Sequence, residues 1–146
     1  MNEAIETEKS TEGATHWTFG MLHVAQLISD QLEASLGSVG LSMAKHSALA
    51  ALARAESPLT LSELAARLSC VRSNITQLVD RLETDGLVRR VDDRSDRRSV
   101  RAELTPLGRE KCEAGSRALA DAQTELSTRL SPRDSRALSA VLGAFD

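Results

Sequence analysis

Nine arginines and no lysine fall between residues 67 and 101: Arg67, Arg72, Arg81, Arg89, Arg90, Arg94, Arg97, Arg98 and Arg101. A guanidinium is permanently charged, weakly hydrated and donates in several directions from one plane, so arginine clustered in this way suits a polyanion. With six acids in the same window the local balance is +3, against −5 for residues 1–66 and −1 for residues 102–146. The chain as a whole, 146 residues with a net charge of −3, would by its average repel phosphate; its charge distribution points the other way. A solvated salt-bridge network is the competing use of the same residues.

Polyanion binding requires elements that present these side chains, and the spacing supplies them. Ile75, Leu78, Val79 and Leu82 stand at i, i+3, i+4 and i+7, the apolar face of a helix over about residues 72–84. Ser73, Thr76, Gln77, Asp80 and Thr84 then face outward. Ser73, Asn74, Thr76 and Gln77 can both donate to and accept from base edges, and Arg72 at the helix start can reach a phosphate. Arg81, on the flank, can reach phosphate or pair with an acid of the segment that follows. Just upstream, Thr60-Leu61-Ser62-Glu63 is a capping box that opens a short helix with Leu61, Leu64, Ala65 and Leu68 at the same offsets. Two short amphipathic helices separated by Ser69-Cys70-Val71 form a helix-turn-helix, and Gly86 closes the second as a left-handed cap.

After Gly86 the period changes from 3.6 to 2. Residues 87–91 and 100–104 read as strands around the wholly polar stretch 92–99, which predicts a hairpin, or wing, whose loop carries Arg94, Arg97 and Arg98. Exposed ion pairs stabilise a fold by only about 0–1 kcal/mol, so such a loop is better explained as an arginine holder. An arginine at a hairpin tip can enter a narrow minor groove while a neighbouring carboxylate directs it; Asp96 with Arg98 is the preferred pair.

The expected architecture is mainly α with a small β-hairpin wing: a winged helix-turn-helix lobe plus N- and C-terminal dimerisation helices. Residues 1–16 lack a sustained apolar period and are expected to be a flexible N-terminal tail. Residues 17–40 form the N-terminal helix of the dimerisation region, 41–105 the DNA-binding lobe with an inner helix after Ser42, and 106–146 the C-terminal helices opened by Thr105-Pro106 and Ser131-Pro132. Trp17, Phe19, Leu22, Leu126, Leu130, Leu138, Val141, Leu142 and Phe145 give these terminal helices more apolar surface than one lobe can cover. A second copy would cover it, and two recognition helices would then want half-sites about 10 bp apart.

No phosphate-cradling glycine motif, metal-ligand spacing or nucleophile elbow is present, so no enzyme, cofactor or metal is expected. Two cysteines, Cys70 and Cys112, are too few for a disulfide framework; no stretch reads as a membrane span or secretory signal, and the cytoplasm is the expected compartment.

The stretches Leu61-Ser-Glu-Leu-Ala-Ala-Arg-Leu, Ile75-Thr-Gln-Leu-Val-Asp-Arg-Leu-Glu, Gly86-Leu-Val, Asp96-Arg-Arg-Ser and Leu104-Thr-Pro-Leu-Gly108 together resemble the MarR family of bacterial transcriptional regulators. The resemblance is specific between about residues 60 and 110 and general outside it; Val71 stands where the family usually has a small hydroxylated cap. It implies a homodimer on a pseudo-palindromic operator, with residues 72–85 in the major groove and Arg98 in the minor groove. It also implies a repressor released by a small aromatic ligand between the dimer helices and the DNA-binding lobe, for which Trp17, Phe19, His23 and His46 are the local candidates. For His46 the competing role is that of a satisfied core histidine.

Two other functions remain open on the residues alone. Cys70 precedes a helix whose positive end and Arg72 would lower its thiol pKa, which suits a redox-responsive regulator; a buried, inert cysteine is the alternative. A winged helix used only for protein contacts would dock the arginine loop on an acidic partner instead.

Overall fold

Residues 43–53 are apolar on nearly every side, and a helix of that kind must be surrounded. In the computed structural model it is. The structure describes residues 2–69, 72–92 and 100–145, and their side chains except those of 2–16 and 72. The order is α1 (Asn2–Gly37), α2 (Met43–Ala53), β1 (Leu59–Thr60), α3 (Leu61–Arg67), α4 (Arg72–Thr84), β2 (Val88–Asp92), β3 (Val100–Leu104), α5 (Pro106–Ser127) and α6 (Pro132–Leu142). Helix α2 touches α1, α3, α4, α5 and β3. The core is built on its Ala48, Leu49, Ala51 and Leu52, with Leu36 of α1, Leu64 of α3 and Ile75, Val79 and Leu82 of α4.

Local signals set most element ends. Thr60 and Glu63 form the expected reciprocal cap of α3, with Glu63 Oε2 accepting from the Thr60 amide at 2.7 Å. Gly86 turns the chain out of α4 at φ +72°, the left-handed region that suits glycine. Ser69, at φ +51°, takes a similar conformation without glycine's freedom, in the turn after α3. Ser42, Thr105 and Ser131 cap α2, α5 and α6 through their hydroxyl oxygens.

Three differences from the sequence expectation have physical causes. Helix α1 begins at Asn2, inside the segment expected as a tail; that segment is rich in glutamate and free of proline, so nothing in it breaks a helix although no apolar period marks one. The hairpin is part of a three-stranded antiparallel sheet of order β1-β3-β2, because the two-residue strand β1 pairs Leu59 with Ala102 and Thr60 with Arg101. Two residues are too few to show an alternating pattern. Strand β2 starts one residue later than expected and runs to Asp92.

The terminal helices pack only partly against the rest. Helix α1 lies along α5, but residues 22–30 are exposed throughout, and α6 buries none of its own side chains. Trp17 meets Phe145 with ring centroids 6.1 Å apart, which brings the C-terminal end back beside α1.

Candidate nucleic-acid interface

Helix α4 has the two faces its spacing demands. Ile75, Val79 and Leu82 are fully buried and Leu78 is half-buried, while Ser73, Asn74, Thr76, Gln77, Asp80, Arg81 and Thr84 are exposed. The outer face therefore offers hydroxyl and amide groups on a helix whose apolar stripe anchors it to the core. Burying that stripe is worth roughly 1.5–3 kcal/mol per large side chain, which fixes α4 as a rigid platform.

The arginines divide into those spent inside the fold and those available outside it. Arg89 pairs at 2.5 Å with Glu103, the residue directly opposite it in the β2–β3 register. Arg90, on the other face of the pleat, reaches across to α4, where its guanidinium donates to Asp80 Oδ1 at 2.5 Å and to Glu83 Oε2. These bonds, that to Asp80 first, raise its pKa further above the ordinary arginine value. Arg101 donates to the Pro58 carbonyl at 3.0 Å and to Glu63 at 3.3 Å. For these three the salt-bridge alternative is correct. Arg67 and Arg81 are exposed and form no ion pair among the described residues, so the wing acid weighed as a partner for Arg81 is not found there. The side chain of Arg72, and all of Cys70, Arg94, Asp96, Arg97 and Arg98, lie outside the described residues. Sequence reasoning missed the role of Arg90, because its carboxylate partners are set by the packing of a strand on a helix.

The candidate ligand residues do not come together. His46 lines a cleft of about 1000 Å³ between the inner helix and its neighbours, with Met43 of α2, Arg54 just after it, Arg67 of α3, Leu78 of α4 and Leu119 of α5. Trp17, Phe19 and His23 do not line it; they lie on the exposed part of α1, whose fully buried side chain is Leu36 near its other end. His46 is also a satisfied core histidine. Its Nε2 lies 3.1 Å from Ser116 Oγ, a hydroxyl that also lies 3.0 Å from the Cys112 carbonyl oxygen.

Burial holds the His46 pKa below 6.5, the Cys112 carbonyl works the other way, and Arg54 adds to the lowering. The unfolded chain therefore takes up a proton at this ring before the folded chain does. Its contribution to stability is complete above about pH 6.5 and is lost as pH falls below that value toward the folded pKa. Urea midpoints of the wild type are expected to fall more steeply between pH 7 and 5.5 than those of His46→Gln; parallel curves would remove His46 as the cause. Cys112 is buried, and burial first, then Glu113, pushes its thiol pKa up, away from thiolate chemistry.

Among the described residues no group of three His, Cys, Asp or Glu side chains is placed to hold a metal, and no helix is long and apolar enough to cross a membrane. A capped helix-turn-helix leading into an arginine-bearing antiparallel sheet defines a winged helix-turn-helix protein. The MarR family model matches residues 39–99, and solved MarR structures share the fold over most of the chain. The chain is 38% identical over 82 residues to the HTH-type transcriptional regulator PrsX of Escherichia coli, a match covering 56% of this chain and 49% of PrsX. It thus spans about half the length of that relative. Wild-type MarR of E. coli in its apo form superposes with a TM-score of 0.71 and 26% identity, covering 86% of this chain and 93% of that one. A mutant MarR of E. coli complexed with operator DNA gives the same TM-score and identity over 86% of this chain and 89% of that one.

Proposed function

We propose that this protein is a sequence-specific DNA-binding repressor and not an enzyme, acting in the cytoplasm as a homodimer on a pseudo-palindromic operator. The observation that carries the proposal is α4: an exposed row of Ser73, Asn74, Thr76 and Gln77 on a helix whose opposite face is fully buried. In this reading those side chains meet base edges in the major groove, and Arg72 and Arg81 meet phosphates. Arg94, Arg97 and Arg98 grip the neighbouring minor groove, with Asp96 orienting Arg98. A mutant MarR has been solved with operator DNA, which supports extending DNA binding to this chain.

The homodimer is supported by the apolar side chains that the single chain leaves exposed on its terminal helices, Phe19, Leu22, Leu138, Val141 and Leu142 among them. Release by a small aromatic ligand is supported by the His46 cleft. It is lined by α2, α5 and Leu78 of the recognition helix, so an occupant would press on the element that reads DNA. Arg54 and Arg67 in the lining favour an aromatic carrying a carboxylate or phenolate.

Selection of bound duplexes from a random pool, repeated with candidate aromatic acids and with oxidants, tests the whole reading. A palindromic consensus bound more tightly than random duplex, with affinity falling steeply in salt, is the expected result. Binding to no duplex in dilute buffer would overturn it and favour a protein-docking module; loss of binding with peroxide in the wild type but not in Cys70→Ser would favour a thiol switch. Gln77→Ala is expected to lose about 1–3 kcal/mol of binding, concentrated at one base pair of each half-site. A uniform loss over all sequences would make Gln77 a positioning residue instead.

A further inference from the structure

Arg90 is the residue through which the sheet holds the reading helix. The pleat of β2 turns Arg89 toward Glu103 and Arg90 toward α4, where Asp80 and Glu83 stand at i and i+3 on one face. One planar guanidinium thereby takes two carboxylates, Nη2 to Asp80 and Nη1 to Glu83, while itself only 27% exposed. A fork with both arms engaged fixes orientation as well as distance, which a flexible ammonium cannot do. Exposed pairs of this kind contribute little to global stability, so their geometry is the more telling property.

Both ends of this clamp border the proposed DNA surface. Asp80 lies three residues from Gln77 and four from Thr76, on the same side of α4, and β2 leads directly into residues 93–99 with their three arginines. We propose that Arg90 is a positioning residue for DNA recognition: by clamping Asp80 and Glu83 it sets the angle between the base-reading face of α4 and the wing, so that the two enter adjacent grooves together. This rests on the regulator reading above. It assigns Arg90 no direct contact with DNA.

The test uses the full-length chain and three variants: Arg90→Gln, Arg90→Lys, and Arg90→Gln combined with Asp80→Asn and Glu83→Gln. Affinity for the selected palindrome and for random duplex is measured across salt, and amide hydrogen exchange is followed in the free protein. For Arg90→Gln the expected result is a loss of about 10–100-fold on the palindrome, a much smaller loss on random duplex, and a salt slope unchanged within half a unit. Exchange should quicken in β2 and the last turn of α4 while α2 stays protected. Arg90→Lys should recover less than half of the loss on a logarithmic scale. The triple variant, free of unpaired acids, should regain affinity for random duplex but not the preference for the palindrome. Equal losses on both duplexes with a slope shallower by about one unit would show a phosphate contact and overturn the proposal, as would an unchanged palindrome affinity. Wild type that binds no duplex would count against the regulator reading alone, because unchanged exchange in Arg90→Gln would still refute the clamp and quickened exchange would support it.

Discussion

Gly108→Ala is expected to lower the unfolding free energy by about 3 kcal/mol. A Cβ at Gly108 would stand 1.9 Å from the Leu87 carbonyl oxygen and 2.8 Å from its carbon. Those are backbone atoms held from both sides. The Leu87 amide donates to the Leu82 carbonyl at 2.9 Å, and the Leu87 carbonyl accepts from the Thr105 amide at 3.1 Å. Thr105 completes the knot: its hydroxyl donates to the Gly86 carbonyl at 2.7 Å and accepts from the Gly108 amide at 2.9 Å. Neither strand nor helix can move aside without breaking this set. The gain in helix propensity from alanine, up to about 1 kcal/mol, is smaller than the clash and opposite in sign. Thermal unfolding should fall by roughly 10 °C. Gly20→Ala is the control, since nothing lies within 4 Å of a Cβ there, and it should be neutral or slightly stabilising. A Gly108→Ala midpoint indistinguishable from that of Gly20→Ala would show that the junction between α4, β2 and α5 is soft.

The second large effect is expected on assembly. Val141 is 48% exposed, and its neighbours on α6, Leu138 and Leu142, are 43% and 49% exposed. A glutamate at Val141 would be harmless to a chain that remained alone. Placed at the proposed two-fold contact it would bury an unpaired carboxylate, weakening the dimer by about 3 kcal/mol or more, at least a hundredfold in dissociation constant. Sedimentation equilibrium should therefore show a Val141→Glu monomer at concentrations where the wild type is dimeric, with unchanged helix content. Operator affinity should fall with it, because one copy presents one recognition helix and loses the gain from joining two half-sites. A wild type that sediments as a monomer, or a variant that dimerises equally well, would place the interface elsewhere.

Much of the lobe was legible because its signals act over four residues or fewer. The capping box at Thr60, the apolar offsets of Ile75, Val79 and Leu82, the left-handed glycine at 86, the span of β3 and the Thr105-Pro106 start of α5 are each written in neighbouring residues. A helix without periodicity was harder to see, which is why the first turns of α1 were expected as tail. The strand β1 escaped because its partner in β3 lies about forty residues away.

The candidate site divides along the same line. That α4 turns hydroxyl and amide side chains outward follows from side-chain period alone, since burying one face of a helix leaves no choice for the other. Which arginines remain available does not follow from composition. Arg89, Arg90 and Arg101 are engaged by Glu103, by Asp80 and Glu83, and by Glu63, pairings made by strand register and by the packing of sheet on helix. The same holds for His46, whose bond to Ser116 joins residues 70 positions apart, and for the cleft that takes His46 but not Trp17, Phe19 or His23. Periodicity and capping are properties of adjacent residues, so the chain alone determined most of the elements and their faces. Charge pairing and cavity lining are properties of groups made neighbours by folding, so only the tertiary structure decided which side chains are spent and which are free to act.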